Sequence, residues 1–288
     1  MNTSSVKYNM PESSTNSTTH SIGLMNSLDI GNMCINSINF LFGLPTHSYV
    51  LWLIVRGAGS GIASGIFILN LSVCEIGNCL NSVFSVLSFW FKSLSAFAMF
   101  LSGLVFTGRP LFQCLMCVER YLAVVYPVTF LKFKPLRYRV MCSTAVWIII
   151  LGACLFRMFC SISINLEIQT WFYFMQFLSI LFVQLFCLLA VLRALKQSGP
   201  GERGRERGRE RGEENHMKKR AFHIILITTV NMVIQYLPFV ISGLYVILTK
   251  QYIVALWLTG SISYALAGFV QPVLYLHCAG KLSCLCSP

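Results

Sequence analysis

Charge is what this sequence has least of. Only 11% of its 288 residues are charged, 56% are hydrophobic, and the mean hydropathy is +0.68. A water-soluble globular protein carries about 25% charged residues, so too little polar surface is present to clothe a body in water. Acids are scarcer than bases, ten against 22, for a net charge of +12. The basic excess does not form a nucleic-acid patch. It crowds into a few loops between apolar runs, as a membrane-topology signal does, and no nucleic-acid partner is expected. There is no His-Glu-x-x-His, no repeated Cys-x-x-Cys at zinc spacing and no nucleophile–base constellation. Metal, cofactor and enzyme activity are therefore not expected. The twelve cysteines include Cys74, Cys79, Cys114, Cys117, Cys142, Cys154 and Cys187 inside apolar runs, where they read as small packing residues rather than a disulfide framework.

What is abundant is apolar runs of about 20 residues, each able to cross a hydrocarbon core of about 30 Å. They fall at about 32–55, 62–90, 94–125, 139–162, 170–195, 220–248 and 252–277. The expected fold is an all-α membrane protein, a seven-transmembrane helix bundle over 32–278. Residues 1–31 are rich in Ser, Thr and Asn, without a basic start followed by an apolar run, and read as a disordered polar tail rather than a cleavable leader. Residues 279–288 make a short tail. The loops after spans one, three and five hold Arg56, then Lys132, Lys134, Arg137 and Arg139, then a series reaching Arg220; the opposite loops hold little beyond Lys92 and Lys250. This asymmetry places the N-terminus outside and the C-terminus in the cytoplasm. Asn2 and Asn16 open glycosylation sequons, consistent with an outer N-terminus. The Gly-Arg-Glu stretch in 196–219 reads as a solvated low-complexity tether beside anionic membrane lipid. Cys284 and Cys286, just past the last span, are candidate palmitoylation sites.

Polar groups inside spans are where function is sought. Glu75 lies about 13 residues into span two and Arg109 eleven residues before Arg120, which puts them roughly 20 and 16 Å from the same face. Equal depth points to a pair, either a structural tie between spans two and three or a switch. Arg109, Gln113, Cys117 and Arg120 recur at helical spacing and form one polar stripe facing the bundle interior. Pro110 lies beside Arg109, where a kink is expected. Spans six and seven each place a proline beside a polar residue, in Gln235-Tyr236-Leu237-Pro238 and Gln271-Pro272-Val273-Leu274-Tyr275. Each frees backbone carbonyls and makes a flexible point. Span three closes on Glu119-Arg120-Tyr121, a charge pair at a membrane exit.

Taken together, residues 32–283 resemble a rhodopsin-like (class A) G-protein-coupled receptor. Glu119-Arg120-Tyr121 is similar to that family's Asp/Glu-Arg-Tyr motif, and Asn70-Leu71-Ser72-Val73-Cys74-Glu75 to its second-helix Asn-Leu-Ala-x-x-Asp. Trp147 falls at the fourth-helix tryptophan, Tyr236-Leu237-Pro238 at Trp-x-Pro, and Gln271-Pro272-Val273-Leu274-Tyr275 at Asn-Pro-x-x-Tyr. The resemblance implies a multi-pass plasma-membrane receptor that binds an extracellular ligand and activates a heterotrimeric G protein. Its switch residues would be Glu119, Arg120, Tyr121, Tyr236, Pro238, Gln271, Pro272 and Tyr275.

The departures shape the expectation further. His47 stands where the family's first helix has asparagine, and Arg109 where a third-helix serine helps bind sodium beside the second-helix acid. A guanidinium against Glu75 would replace that ion. Ser95 stands near the third-helix disulfide cysteine, residues 161–171 contain no cysteine, and span five lacks the family's proline. Ser102 stands where amine receptors carry aspartate, and Ala265 where opsins carry their retinal-linking lysine, so neither an amine nor a covalent chromophore is expected. Ser102, Arg157 and Tyr236 are the candidate ligand contacts; Arg157 either meets an anionic ligand or snorkels to the headgroups. Two other readings stand beside the receptor: a non-signalling decoy or heteromer partner, and a small transporter or channel routed through Glu75 and Arg109. The hydropathy shows no inverted repeat to support the latter.

Overall fold

A computed structural model describes residues 27–56, 65–133, 136–163, 166–197, 207–249, 254–270 and 272–273, and the regular elements among them are helices. Helix α1 (Ser27–Ile38) and α2 (Leu44–Val55) are joined by one π-helical turn, Asn39–Gly43. Pro45 explains the wide turn. Inside a regular helix its ring would meet the preceding turn's carbonyl, whereas here it opens a new helix at a position whose N–H is not needed. Helix α3 spans Ile66–Leu87, and a 3-10 turn at Lys92–Leu94 leads into α4, Ser95–Val125. Tyr126 leaves helical geometry (φ −129, ψ 66) because Pro127 disfavours it there; the proline then opens α5, Pro127–Phe133. Helices α6 (Leu136–Ser163), α7 (Leu166–Gln197), α8 (Arg207–Thr249) and α9 (Val254–Gly268) complete the order.

Among the described residues six helical stretches are long and apolar enough to cross a membrane: Ile30–Val55, Ile66–Leu87, Lys92–Val125, Arg137–Cys160, Glu167–Ala194 and Ala221–Thr249. The described part of the seventh, α9, has 15 residues and lies against α8 and α1. Two expected boundaries move. The first helix starts at Ser27, inside the segment expected as tail, and α8 starts at Arg207, inside the stretch expected as a loop. Arg and Glu are strong helix formers, and a helix already nucleated by an apolar span extends without a new nucleation step. Gly208 and Gly212, each about 1 kcal/mol less favourable than alanine, do not stop it.

Helix α4 is the hub, packed against α3, α6, α7 and α8. Leu71, Cys74, Phe112 and Ile150 form a core between α3, α4 and α6. Val105, Phe177, Met232, Tyr236 and Tyr264 form a second between α4, α7, α8 and α9. Cys117, Val191 and Ile225 form a third toward the Glu119 end. The arrangement is inverted relative to a protein in water. Ile148, Phe182 and Leu266 are exposed, whereas Gln113, Gln184 and Gln235 are fully buried. Only a lipid surround makes the outer face favourable. Helices α4 and α6 touch backbone to backbone at Gly103, where an added Cβ would stand 2.5 Å from Cys154 Cα; small residues permit such approach in membranes.

Candidate functional site

The polar stripe of α4 begins at Arg109, 2% exposed and fixed by three helices. Its Nε donates to Glu75 Oε1 and its Nη2 to Glu75 Oε2, a fork-on-carboxylate arrangement between α4 and α3. Nη1 donates to the Tyr264 carbonyl of α9 at 3.0 Å, and the Tyr264 ring centroid lies 4.0 Å from the guanidinium carbon. The Tyr264 hydroxyl donates back to the Val105 carbonyl of α4 at 2.9 Å. His47 of α2 is buried with Nε2 3.9 Å from Glu75 Oε2. Gly268 gives the charge its room, since a Cβ there would stand 3.0 Å from Arg109 Nη2. Four helices thus meet at one carboxylate–guanidinium pair. Burying such charges is tolerated because the fork, the carbonyl and the ring satisfy them together.

Asn70 and Trp147 also come together. Trp147 Nε1 donates to Asn70 Oδ1 at 2.8 Å, and Asn70 Nδ2 donates to Ser143 Oγ at 3.3 Å, tying α3 to α6. Below Arg109, Gln113 is fully buried and Cys117 nearly so, while Arg120 is half-buried. The stripe is therefore one inward face of α4.

At the Glu119 end the expected adjacency gives way. The ion pair of Glu119 is with Arg139 of α6, not with Arg120. Neighbouring residues on a helix point about 100° apart and do not face each other, so the carboxylate reaches across to the next helix. Among the described residues Arg120 makes no ion pair. Tyr121 packs edge-on against Tyr126 and against Phe186 of α7.

At the other end a cavity of about 150 Å3 opens between α4, α6, α7, α8 and α9. Tyr236 lines it and meets Tyr264 edge-on, with centroids 6.2 Å apart. Arg157 lines it too, its Nε donating to Ser102 Oγ at 3.1 Å. The headgroup-seeking alternative for Arg157 is thereby replaced by an inward one, because Ser102 supplies a polar anchor. Pro238 lies within α8 and Pro272 is buried and helical. Gln271, Tyr275, Asn2, Asn16, Cys284 and Cys286 lie outside the described residues. Among the described residues no three His, Cys, Asp or Glu side chains could share a metal ion.

Sequence reasoning missed Tyr264, Arg139 and Gln184. Tyr264 contributes a backbone carbonyl, which leaves no mark in sequence, and a ring and hydroxyl that read there as one more aromatic in an apolar run. Arg139 was legible only as one of several loop cations. Gln184 could have been found, as an amide in the middle of an apolar run.

Comparison with known proteins follows the same lines. The family described as 7 transmembrane receptor (rhodopsin family) matches residues 47–275. Human chemokine XC receptor 1 is 32% identical over 181 residues, covering 58% of this chain and 54% of that protein. A somatostatin-like receptor of Takifugu rubripes is 31% identical over 145 residues, 46% of this chain and 48% of that protein. Somatostatin receptor type 5 of Rattus norvegicus is 32% identical over 118 residues, 37% and 31% respectively. The chain matches about half the length of the first two relatives, and less of the third.

Proposed function

Because the chain belongs to the rhodopsin family of seven-transmembrane receptors, we propose that it binds an extracellular ligand at the plasma membrane and activates a heterotrimeric G protein. The observation that carries this reading is α4 itself. One continuous helix has its Phe106 and Pro110 in the cavity wall, its Arg109 in the four-helix charge cluster and its Arg120 at the opposite end. A ligand in the cavity touches α4, α6, α7, α8 and α9, and α4, α7 and α8 also pack together toward the opposite end.

In this reading the N-terminus is outside and Arg120 faces the cytoplasm. Ligand contact with Tyr236 and its neighbours favours a packing in which α8 swings about Pro238, and the chain past α9 adjusts at Pro272. A cleft opens beside Arg120, which has no carboxylate to leave among the described residues, and the guanidinium meets the G protein. This is a shift between two packings, and a ligand drives it only as far as its affinities for the two differ. Glu119 acts through Arg139, holding the end of α4 against the start of α6.

A specific observation favours a second reading, a non-signalling decoy or heteromer partner. The Glu75–Arg109 fork joins four helices and resists their relative motion. Expression in cells with reporters for several Gα classes separates the two. Basal or ligand-stimulated activity above mock cells, at confirmed surface expression, supports the receptor. Silence across every class supports the decoy.

A further inference from the structure

The cavity inverts the electrostatics of an amine site. Among the described residues its lining includes one charged residue, Arg157, and no Asp, Glu, Lys or His. Glu167, the acid nearest to it along α7, is exposed and does not line it. Ser102 is occupied as an acceptor for Arg157 Nε, so the position that could anchor an ammonium holds a guanidinium in place. Among the described residues no carboxylate lies within ion-pair distance of Arg157.

A second polar group stands at the same corner. The Tyr173 hydroxyl is buried, with no hydrogen-bond partner among the described residues. Its ring lies 5.3 Å from that of Phe106, and the Arg157 guanidinium carbon lies 5.9 Å from the same Phe106 ring. With Nε engaged by Ser102, the guanidinium keeps its two-nitrogen edge, which matches the two oxygens of a carboxylate. Gln176, the nearby amide, is already committed to α4: it accepts from Thr107 Oγ1 and donates to the Phe106 carbonyl. Away from this corner the wall is aromatic, with Phe177, Phe239 and Trp257. A volume of about 150 Å3 suits one aromatic ring.

The geometry points to a small organic monocarboxylate with an aromatic body as the ligand class, its carboxylate on Arg157 and Tyr173 and its ring among the aromatic walls. This deepens the receptor reading and rests on it for the cavity's role. One guanidinium balances one negative charge; a phosphate dianion would be left under-compensated in an apolar enclosure. An ammonium would meet a like charge without a counter-ion. The same chemistry, a carboxylate beside an aromatic ring, also occurs at the C-terminus of a peptide ending in phenylalanine.

The test uses the full chain purified into lipid nanodiscs without G protein, titrated calorimetrically with 3-phenylpropionate, its neutral amide and 3-phenylpropylamine. The acid should bind at least tenfold more tightly than the amide, and the amine no better than the amide. Acetyl-Gly-Gly-Phe acid as a fourth probe separates a free metabolite from a peptide end: preference for it over 3-phenylpropionate assigns the carboxylate to a peptide, the reverse to a small acid. Arg157→Gln should erase the acid–amide difference while leaving amide affinity within about twofold, and Tyr173→Phe should weaken the acid alone several-fold. If Arg157→Gln does not fold, the probe series on the unsubstituted chain still decides. Equal binding of acid and amide, tighter binding of the amine, or no saturable binding of either acid up to millimolar concentration overturns the assignment. Since G protein is absent, such a failure leaves coupling through Arg120 untouched.

Discussion

Arg109 and Glu75 are each about 98% buried, and neither is tolerable there alone. Removing one partner leaves an uncompensated charge in a low-dielectric interior, which costs about 3–5 kcal/mol, whereas replacing both by apolar residues of similar size is close to neutral. Glu75→Leu and Arg109→Met should therefore each lower thermal stability in detergent more than the two combined; a double variant less stable than either single one contradicts this. If the fork stands in for a sodium ion, as the resemblance to class A receptors implies, ligand affinity should be unchanged when sodium is exchanged for choline at constant ionic strength. A sodium-dependent affinity would refute that substitution. Residue counting at 1.5 Å per residue sufficed to bring Glu75 and Arg109 to one depth. His47 and the Tyr264 carbonyl were not legible, since the first reads as a motif departure and the second is backbone.

The helices differ in how closely they touch, and glycine reports it. At Gly103 a Cβ would fall 2.5 Å from the Cys154 backbone, whereas at Gly152 it would meet nothing within 4 Å. Gly103→Val should block α4 from seating on α6 and abolish folded protein in size-exclusion profiles. Gly152→Ala should be neutral or raise stability by up to about 1 kcal/mol through helix propensity. The opposite ranking would contradict the packing. The Asn70–Trp147 bond is a smaller tie between α3 and α6. Trp147→Phe keeps the ring and removes the donor, for an expected loss of about 0.6 kcal/mol, the usual worth of an interhelical hydrogen bond in lipid. At this scale the spans were legible because length and apolarity are direct requirements of the bilayer. The ends were not: Arg207 onward reads as a tether by composition, yet it extends a helix that the apolar span has already nucleated. The expected Glu119–Arg120 pair failed for a related reason, because adjacency in sequence is not adjacency on a helix surface.

As a whole the chain is a rhodopsin-family bundle whose family membership was legible from five motifs in order, while the proposed ligand class required the cavity. Arg157 carried two readings in sequence, and only its bond to Ser102 and its place beside Phe106 separate them. The polar face of α4 gives the bundle a continuous inner surface from that cavity to Arg120, and the proposed signalling depends on its far end. The direct measurement is guanine-nucleotide exchange on purified heterotrimeric G protein, catalysed by the chain in lipid nanodiscs, compared with Arg120→Ala. The parent should accelerate exchange and Arg120→Ala should return it to the receptor-free rate, with thermal stability and surface expression preserved. Exchange indistinguishable between the two proteins, whether both accelerate it or neither does, contradicts the claim that Arg120 is where this receptor meets its G protein.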